Sequence, residues 1–239
     1  MKTMSKNLIG FFFVMPAGVI FSLALFEVIK RFLLINPINI VFISGIIFYF
    51  LLRYLVKWIG YDFVDVGEVL VHELVHGFFS LLFLGDVKSL SVYPKKGGQV
   101  SVSRSNFLVE LSPYCFPIIA IVVSGIKPFF IKSAGIYIVF ITGFFLGQHL
   151  AALFKDFHLG QSDILNNGIV FSFSVVLFLN VFFVGIMMVI LGDGYSAVPL
   201  FLNEAFEISK KCIYLILHFD YAGNWSKLHE LIGKLFSIL

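Results

Sequence analysis

Residues 63–84 read FVDVGEVLVHELVHGFFSLLFL. At 1.5 Å of rise per residue this stretch makes about 33 Å of helix, enough to cross the ~30 Å hydrocarbon layer of a bilayer. Most of it is apolar, yet Asp65, Glu68, His72, Glu73 and His76 sit among the apolar residues. Ionisable groups inside a membrane span are costly, and their default reading is functional. His72 and His76 lie roughly eight residues from either end, about 12 Å of helix. The stretch therefore reads as a membrane helix with chemistry near its middle.

The rest of the chain agrees with a bilayer setting. Of 239 residues, 59% are apolar and 13% charged, against about 25% charged in soluble domains. Several long apolar runs spread along the chain indicate a multi-pass protein rather than a large soluble core. A net charge of +3, with no Lys/Arg-rich arm, argues against a nucleic-acid partner. Cys115 and Cys212 form no CxxC pattern and read as packing residues. Lys2 and Lys6 precede the apolar run Leu8–Ile29, which is too long for a signal-peptide core and is followed by no clear small-residue cleavage site, so it reads as a span.

Six candidate spans follow from length and hydropathy: Leu8–Ile29, Ile38–Trp58, Phe63–Leu84, Phe107–Gly125, Ala134–Phe154 and Ile169–Leu191. Basic residues in the short loops divide six to seven between the two sides, which leaves orientation open. Residues 86–105 alternate, with Leu90, Val92, Val100 and Val102 spaced by serines and a Pro94-Lys95-Lys96-Gly97-Gly98 turn. That is the pattern of a small polar β-hairpin. Beyond Gly194 there is no clean span. Leu228, Leu231, Ile232, Leu235, Phe236 and Leu239 form one apolar stripe, opposite Lys227, Glu230 and Lys234. This reads as a C-terminal amphipathic helix, lying on the membrane or packed on the bundle. Gly143, Gly147, Pro113 and Pro117 mark places where helices pack closely or open, with packing the ordinary role.

His72 and His76 are one helical turn apart and project from one face, a spacing that places two imidazole nitrogens on one zinc ion at ~2.0–2.1 Å. Glu73, next along the helix, reaches the open coordination position without being a ligand and fits the general base for an attacking water. By chance alone, HExxH arises on the order of once in two hundred sequences of this composition. The contrary reading is a polar patch pairing helices, or a degenerate site without catalysis. His229-Glu230 starts the same motif but lacks the second histidine. A hydrolytic zinc site usually has three protein ligands. Asp163, at the junction of the fifth and sixth spans, is the first choice for the third, with Asp156, His158 and His149 as competitors and a helix N-cap as its ordinary alternative role. Glu68, one turn before His72, reads either as a partner orienting that imidazole or as part of a salt bridge.

A membrane HExxH, a polar hairpin directly after it, a following span with Ser112-Pro113, and a downstream Asp before a last core helix together resemble the site-2 protease family of intramembrane zinc metalloproteases. The likeness covers roughly residues 63–191. It implies a three-helix core with two His and one Asp on Zn2+, here His72, His76 and Asp163, and a re-entrant hairpin beside the site. The family's Asp-Gly step is absent: Asp163 is followed by Ile164, and Asn166, Asn167 and Gly168 come after it. No insertion is long enough for PDZ or CBS domains.

The expectation is an all-α integral membrane protein of about six transmembrane helices with a small hairpin. It divides into two N-terminal helices (1–62), a core (63–191, hairpin 86–105) and an amphipathic tail (192–239). The expected activity is zinc-dependent hydrolysis of peptide bonds in a membrane protein or peptide substrate, with Glu73 as general base, in a cell or cytoplasmic membrane. The alternative is a non-catalytic membrane scaffold or assembly factor that keeps a metal site or its remnant.

Overall fold

The computed structural model describes residues 2–35, 38–93 and 97–217, with Gly233 alone beyond them. The order of elements is α1 (Lys2–Ile9), a π-helical turn (Gly10–Val14), α2 (Met15–Ile35), α3 (Asn39–Trp58), α4 (Phe63–Leu82), β1 (Val87–Tyr93), β2 (Gly97–Val102), α5 (Phe107–Cys115), α6 (Ile118–Ile126), α7 (Lys132–Asp156), α8 (Ser162–Asn167), α9 (Ile169–Asp193) and α10 (Val198–Leu217). The hairpin turn Pro94–Lys96 and the stripe Leu228–Leu239 lie outside the described residues.

Among the described residues, four helical stretches are long and apolar enough to cross a bilayer: Thr3–Leu34, Asn39–Trp58, Ser133–Asp156 and Ile169–Asp193. The six uninterrupted spans expected from the sequence reduce to these for two reasons. First, α4 has the length but carries Asp65, Glu68 and Glu73. Second, the expected span Phe107–Gly125 is broken: α5 and α6 meet at 67° and together make at most a fifth crossing. The break is local chemistry. Phe116 is extended at φ −122°, ψ 110°, as expected for a residue preceding a proline, and Pro117 brings no N–H to continue the ladder.

The helices pack through small residues and aromatic rings. α3 and α7 cross where Gly45 meets the Phe140 carbonyl and Gly143 meets the Phe42 carbonyl, so closely that any side chain at either glycine would collide with backbone. Gly147 continues the contact against Ile46 and Tyr49. This is the small-residue packing of membrane helices. α2 lies along α9, with Phe21 in edge-on contact with Phe178, Phe182 and Phe201. Phe201, from α10, is fully buried, and Ala205 and Ile208 further along it are buried too. That i, i+4, i+7 stripe packs α10 onto the bundle, in a region the sequence reading left without a helix before the terminal stripe.

The hairpin forms as its alternation predicts. Leu90 pairs with Val100, Val92 with Gly98 and Val87 with Val102, with a bulge between Val87 and Ser89. It lies on α4, where Gly77 leaves room for the Val87 methyl and the Ser80 hydroxyl donates to the Arg104 carbonyl at 3.0 Å. We predict that Gly143→Val forces α3 and α7 apart and costs about 1–3 kcal/mol, read as a lowered thermal midpoint in detergent. An unchanged midpoint would show that the crossing is looser than described.

Candidate metal centre

α4 carries its polar residues on adjacent faces. His72, Val75, His76 and Phe79 look toward α5, while Val69, Glu73, Gly77 and Ser80 look toward the hairpin. The two imidazoles meet edge to face, and their Nε2 atoms stand 3.2 Å apart. Two atoms that share one ion at ~2.0–2.1 Å with tetrahedral angles stand roughly 3.3 Å apart. His76 is oriented from behind: its Nδ1 lies 2.7 Å from the Val109 carbonyl oxygen. A carbonyl only accepts, so Nδ1 carries the proton and Nε2 presents a lone pair toward His72.

Val109 is free to accept because of Pro113. In α5 the donor to the Val109 carbonyl would be the N–H of the residue four further on, and that residue is Pro113, inside the helix. The vacant acceptor takes the Ser112 hydroxyl at 2.9 Å and the His76 ring. Asn106 starts the same helix firmly, accepting from the Leu108 and Val109 amides at 2.9 and 3.0 Å.

Asp163 joins the pair. Ligand atoms of His72, His76 and Asp163 all lie within 4.8 Å of one another, with Asp163 Oδ2 3.7 Å from His76 Nε2. Asp163 is in the first turn of α8, a separate six-residue helix, and does not cap α9. Gly168, at φ 92°, turns the chain between the two helices, a conformation that favours glycine. The Tyr114 hydroxyl donates to Asp163 Oδ2 at 3.3 Å, and its ring meets His72 edge-on at 5.2 Å.

From the adjacent face, Glu73 opens into a cleft of about 340 Å³ shared with His72, His76 and Asp163 and roofed by β2. Val100 of β2 lines the cleft beside its carboxylate. Gly98 sits so close that a Cβ there would lie 2.7 Å from Glu73 Cγ. Ser105, Glu110, Gln161 and Ser162 complete a polar lining.

The competing ligands are engaged elsewhere. His149 Nε2 lies 2.8 Å from the Asn180 side-chain oxygen, and His158 Nδ1 accepts from the Gly160 amide at 3.2 Å. Among the described residues, neither they nor Asp156 belongs to the cluster. Glu68 takes the salt-bridge role: its carboxylate accepts from the Tyr49 hydroxyl at 2.5 Å, Arg53 Nε at 2.8 Å and Lys155 Nζ at 3.3 Å. Arg53 and Lys155 also hold Asp65, each at 3.2 Å.

Tyr114 and the Val109 carbonyl were missed by reading the sequence. A tyrosine in an apolar run needs a partner for its hydroxyl, which was the available signal for the first. The second has no side-chain signature, only Pro113 four residues later.

No protein-family model matches this chain, and comparison with curated proteins and with solved structures gives no match. The functional reading therefore rests on the geometry. Pro113→Ala restores an N–H that competes for the Val109 carbonyl. We predict about tenfold weaker zinc binding with the helical content retained, measured by competition with a chromophoric chelator. Wild-type affinity in this variant would remove Val109 from the site.

Proposed function

We propose that this chain is a membrane-embedded zinc metallopeptidase of the site-2 protease type. His72, His76 and Asp163 hold the metal and Glu73 is the general base. The observation that carries the reading is convergence: two imidazoles from α4 and a carboxylate from α8 gather within 4.8 Å of one another, and the glutamate beside them opens into the same polar cleft. The donor set fits zinc. It offers two neutral imidazole nitrogens and one carboxylate, the composition of a hydrolytic site with an open fourth position. When bound, zinc supplies Lewis acidity, polarising the scissile carbonyl and making water more acidic.

Glu73 takes the proton of the attacking water and returns it to the leaving amine nitrogen. The hairpin packs against the Glu73 side chain at Gly98 and leaves its carboxylate facing the cleft. Among the described residues β2 pairs only with β1, so its other edge has no strand partner, which fits strand addition by an extended peptide. Gly98 lets the hairpin's own backbone come close to Glu73. A substrate helix hides its amides in its own hydrogen bonds, and an unwound segment laid along β2 exposes them.

In this reading α4 and the bent α5–α6 pair also lie within the membrane, making six passages. Their polar groups face protein or the cleft, where non-helical backbone and charge are tolerated. A non-catalytic scaffold has no use for a carboxylate beside the ligands, and the position of Glu73 favours the enzyme. The test is Glu73→Gln, with the protein reconstituted in liposomes alongside a panel of membrane-anchored reporter peptides. Zinc content stays at the wild-type level and cleavage falls by about 100-fold or more. Cleavage at the wild-type rate would rule out Glu73 as base. Zinc-loaded wild-type protein that cleaves no reporter would favour the scaffold.

A further inference from the structure

The third ligand sits on a segment with little stability of its own. α8 has six residues and is cut from α9 by Gly168, and a single short helix is marginal without outside support. That support converges on Asn167, which is 1% exposed. Its amide donates to the Asp163 carbonyl at 2.9 Å and to Glu110 Oε2 at 2.5 Å. Its oxygen accepts from Lys6 Nζ at 2.6 Å. Glu110 is held on its other oxygen by the Ser105 hydroxyl at 2.9 Å.

The next residue of α1 grips the far side of the break. The Asn7 side-chain oxygen accepts the Phe171 backbone N–H at 3.1 Å, one of the donors that the start of α9 leaves without a helix partner, and it packs against Gly168. One turn later Gly10 allows the close approach: a Cβ there would come within 2.6 Å of Phe171 Cα. The helix then passes through its π-helical turn, a feature that often marks functional positions.

We propose that Lys6 and Asn7 of α1 are positioning residues for the metal site: together they clamp Asn167 and the α8–α9 break, and so set where Asp163 presents its carboxylate. This rests on the metallopeptidase reading and extends the site beyond residues 63–191 to the N-terminal helix. The amide at position 167 is specific to the task. It points two protons at oxygen acceptors, one of them the Glu110 carboxylate that shares the cleft with Asp163, and Lys6 supplies the positive charge behind it. A clamp that merely joined helices would lower overall stability and leave metal affinity alone.

The full-length protein in detergent tests this with zinc as the probe. Lys6→Met and Asn7→Ala each weaken zinc binding about tenfold, the scale of an outer-sphere change at a metal site. In metal-free protein both speed hydrogen exchange at residues 161–171, with little change elsewhere. Asn7→Asp keeps the accepting oxygen and retains wild-type affinity. Asn167→Asp sets a third carboxylate against Glu110 and Asp163 and weakens zinc more than either α1 variant. Unchanged affinity in both Lys6→Met and Asn7→Ala overturns the clamp, as does a loss that merely follows a lowered thermal midpoint. If wild-type protein takes up no zinc, the metallopeptidase reading fails. The exchange measurement then decides the clamp alone: faster exchange at 161–171 supports it, and wild-type exchange there overturns it.

Discussion

A helix that carries three carboxylates and two imidazoles into an apolar bundle must have each of them answered by a neighbour, because an uncompensated buried charge or polar group costs several kcal/mol. The arrangement around α4 follows from how those answers are distributed. Glu68 and Asp65 are answered by Arg53 and Lys155, and Glu68 also by Tyr49. These contacts tie α4 to α3 and α7. Glu73 is covered by the hairpin at Gly98 and faces the polar cleft, and His76 Nδ1 is answered by a carbonyl that a proline left vacant. What is left over is two imidazole Nε2 atoms and a carboxylate turned toward one point. That remainder is the candidate site.

The division of labour explains which parts were legible in the sequence. The α4 motif, the hairpin alternation and Asp163 could be read because side-chain identity alone carries the signal. HExxH fixes geometry through the helical repeat, alternation fixes the strand face, and a polar cluster around Asp163 marks a junction unlike ordinary lipid-facing chain. The α5–α6 bend was in principle readable from Phe116-Pro117, but hydropathy runs smoothly through it and masked the missing N–H. α10 was hidden for the opposite reason: Glu204, Glu207, Lys210 and Lys211 dilute its hydropathy, while its buried stripe is only a few residues wide. The role of Glu68 was open between two readings, because a residue one turn from a ligand faces both the ligand and the neighbouring helix. The contribution of α1 could not be read at all. Lys6 and Asn7 are separated by some 160 positions from the residues they hold, and juxtamembrane lysines are ordinary.

Asp163 and the glycine that turns the chain are separated in the structure. The glycine needed to turn the chain is present, five residues later at Gly168, so Asp163 sits inside a short helix rather than at a turn. A short helix needs to be held, and the residues that hold it come from α1, α5 and α8 itself. The cleft is built in the same economical way. One face of α4 turns His72 and His76, and an adjacent face turns Glu73, to the same cleft, and the hairpin covers it.

X-ray absorption at the zinc edge, on protein purified from a zinc-supplemented culture, tests the central claim most directly. The account predicts about one zinc per chain, with two imidazole nitrogens at ~2.0–2.1 Å and a carboxylate oxygen at ~2.0–2.2 Å. It also predicts that the carboxylate contribution disappears in Asp163→Ala while the imidazole signature remains. Zinc far below one per chain, or a coordination shell without imidazole, would contradict it.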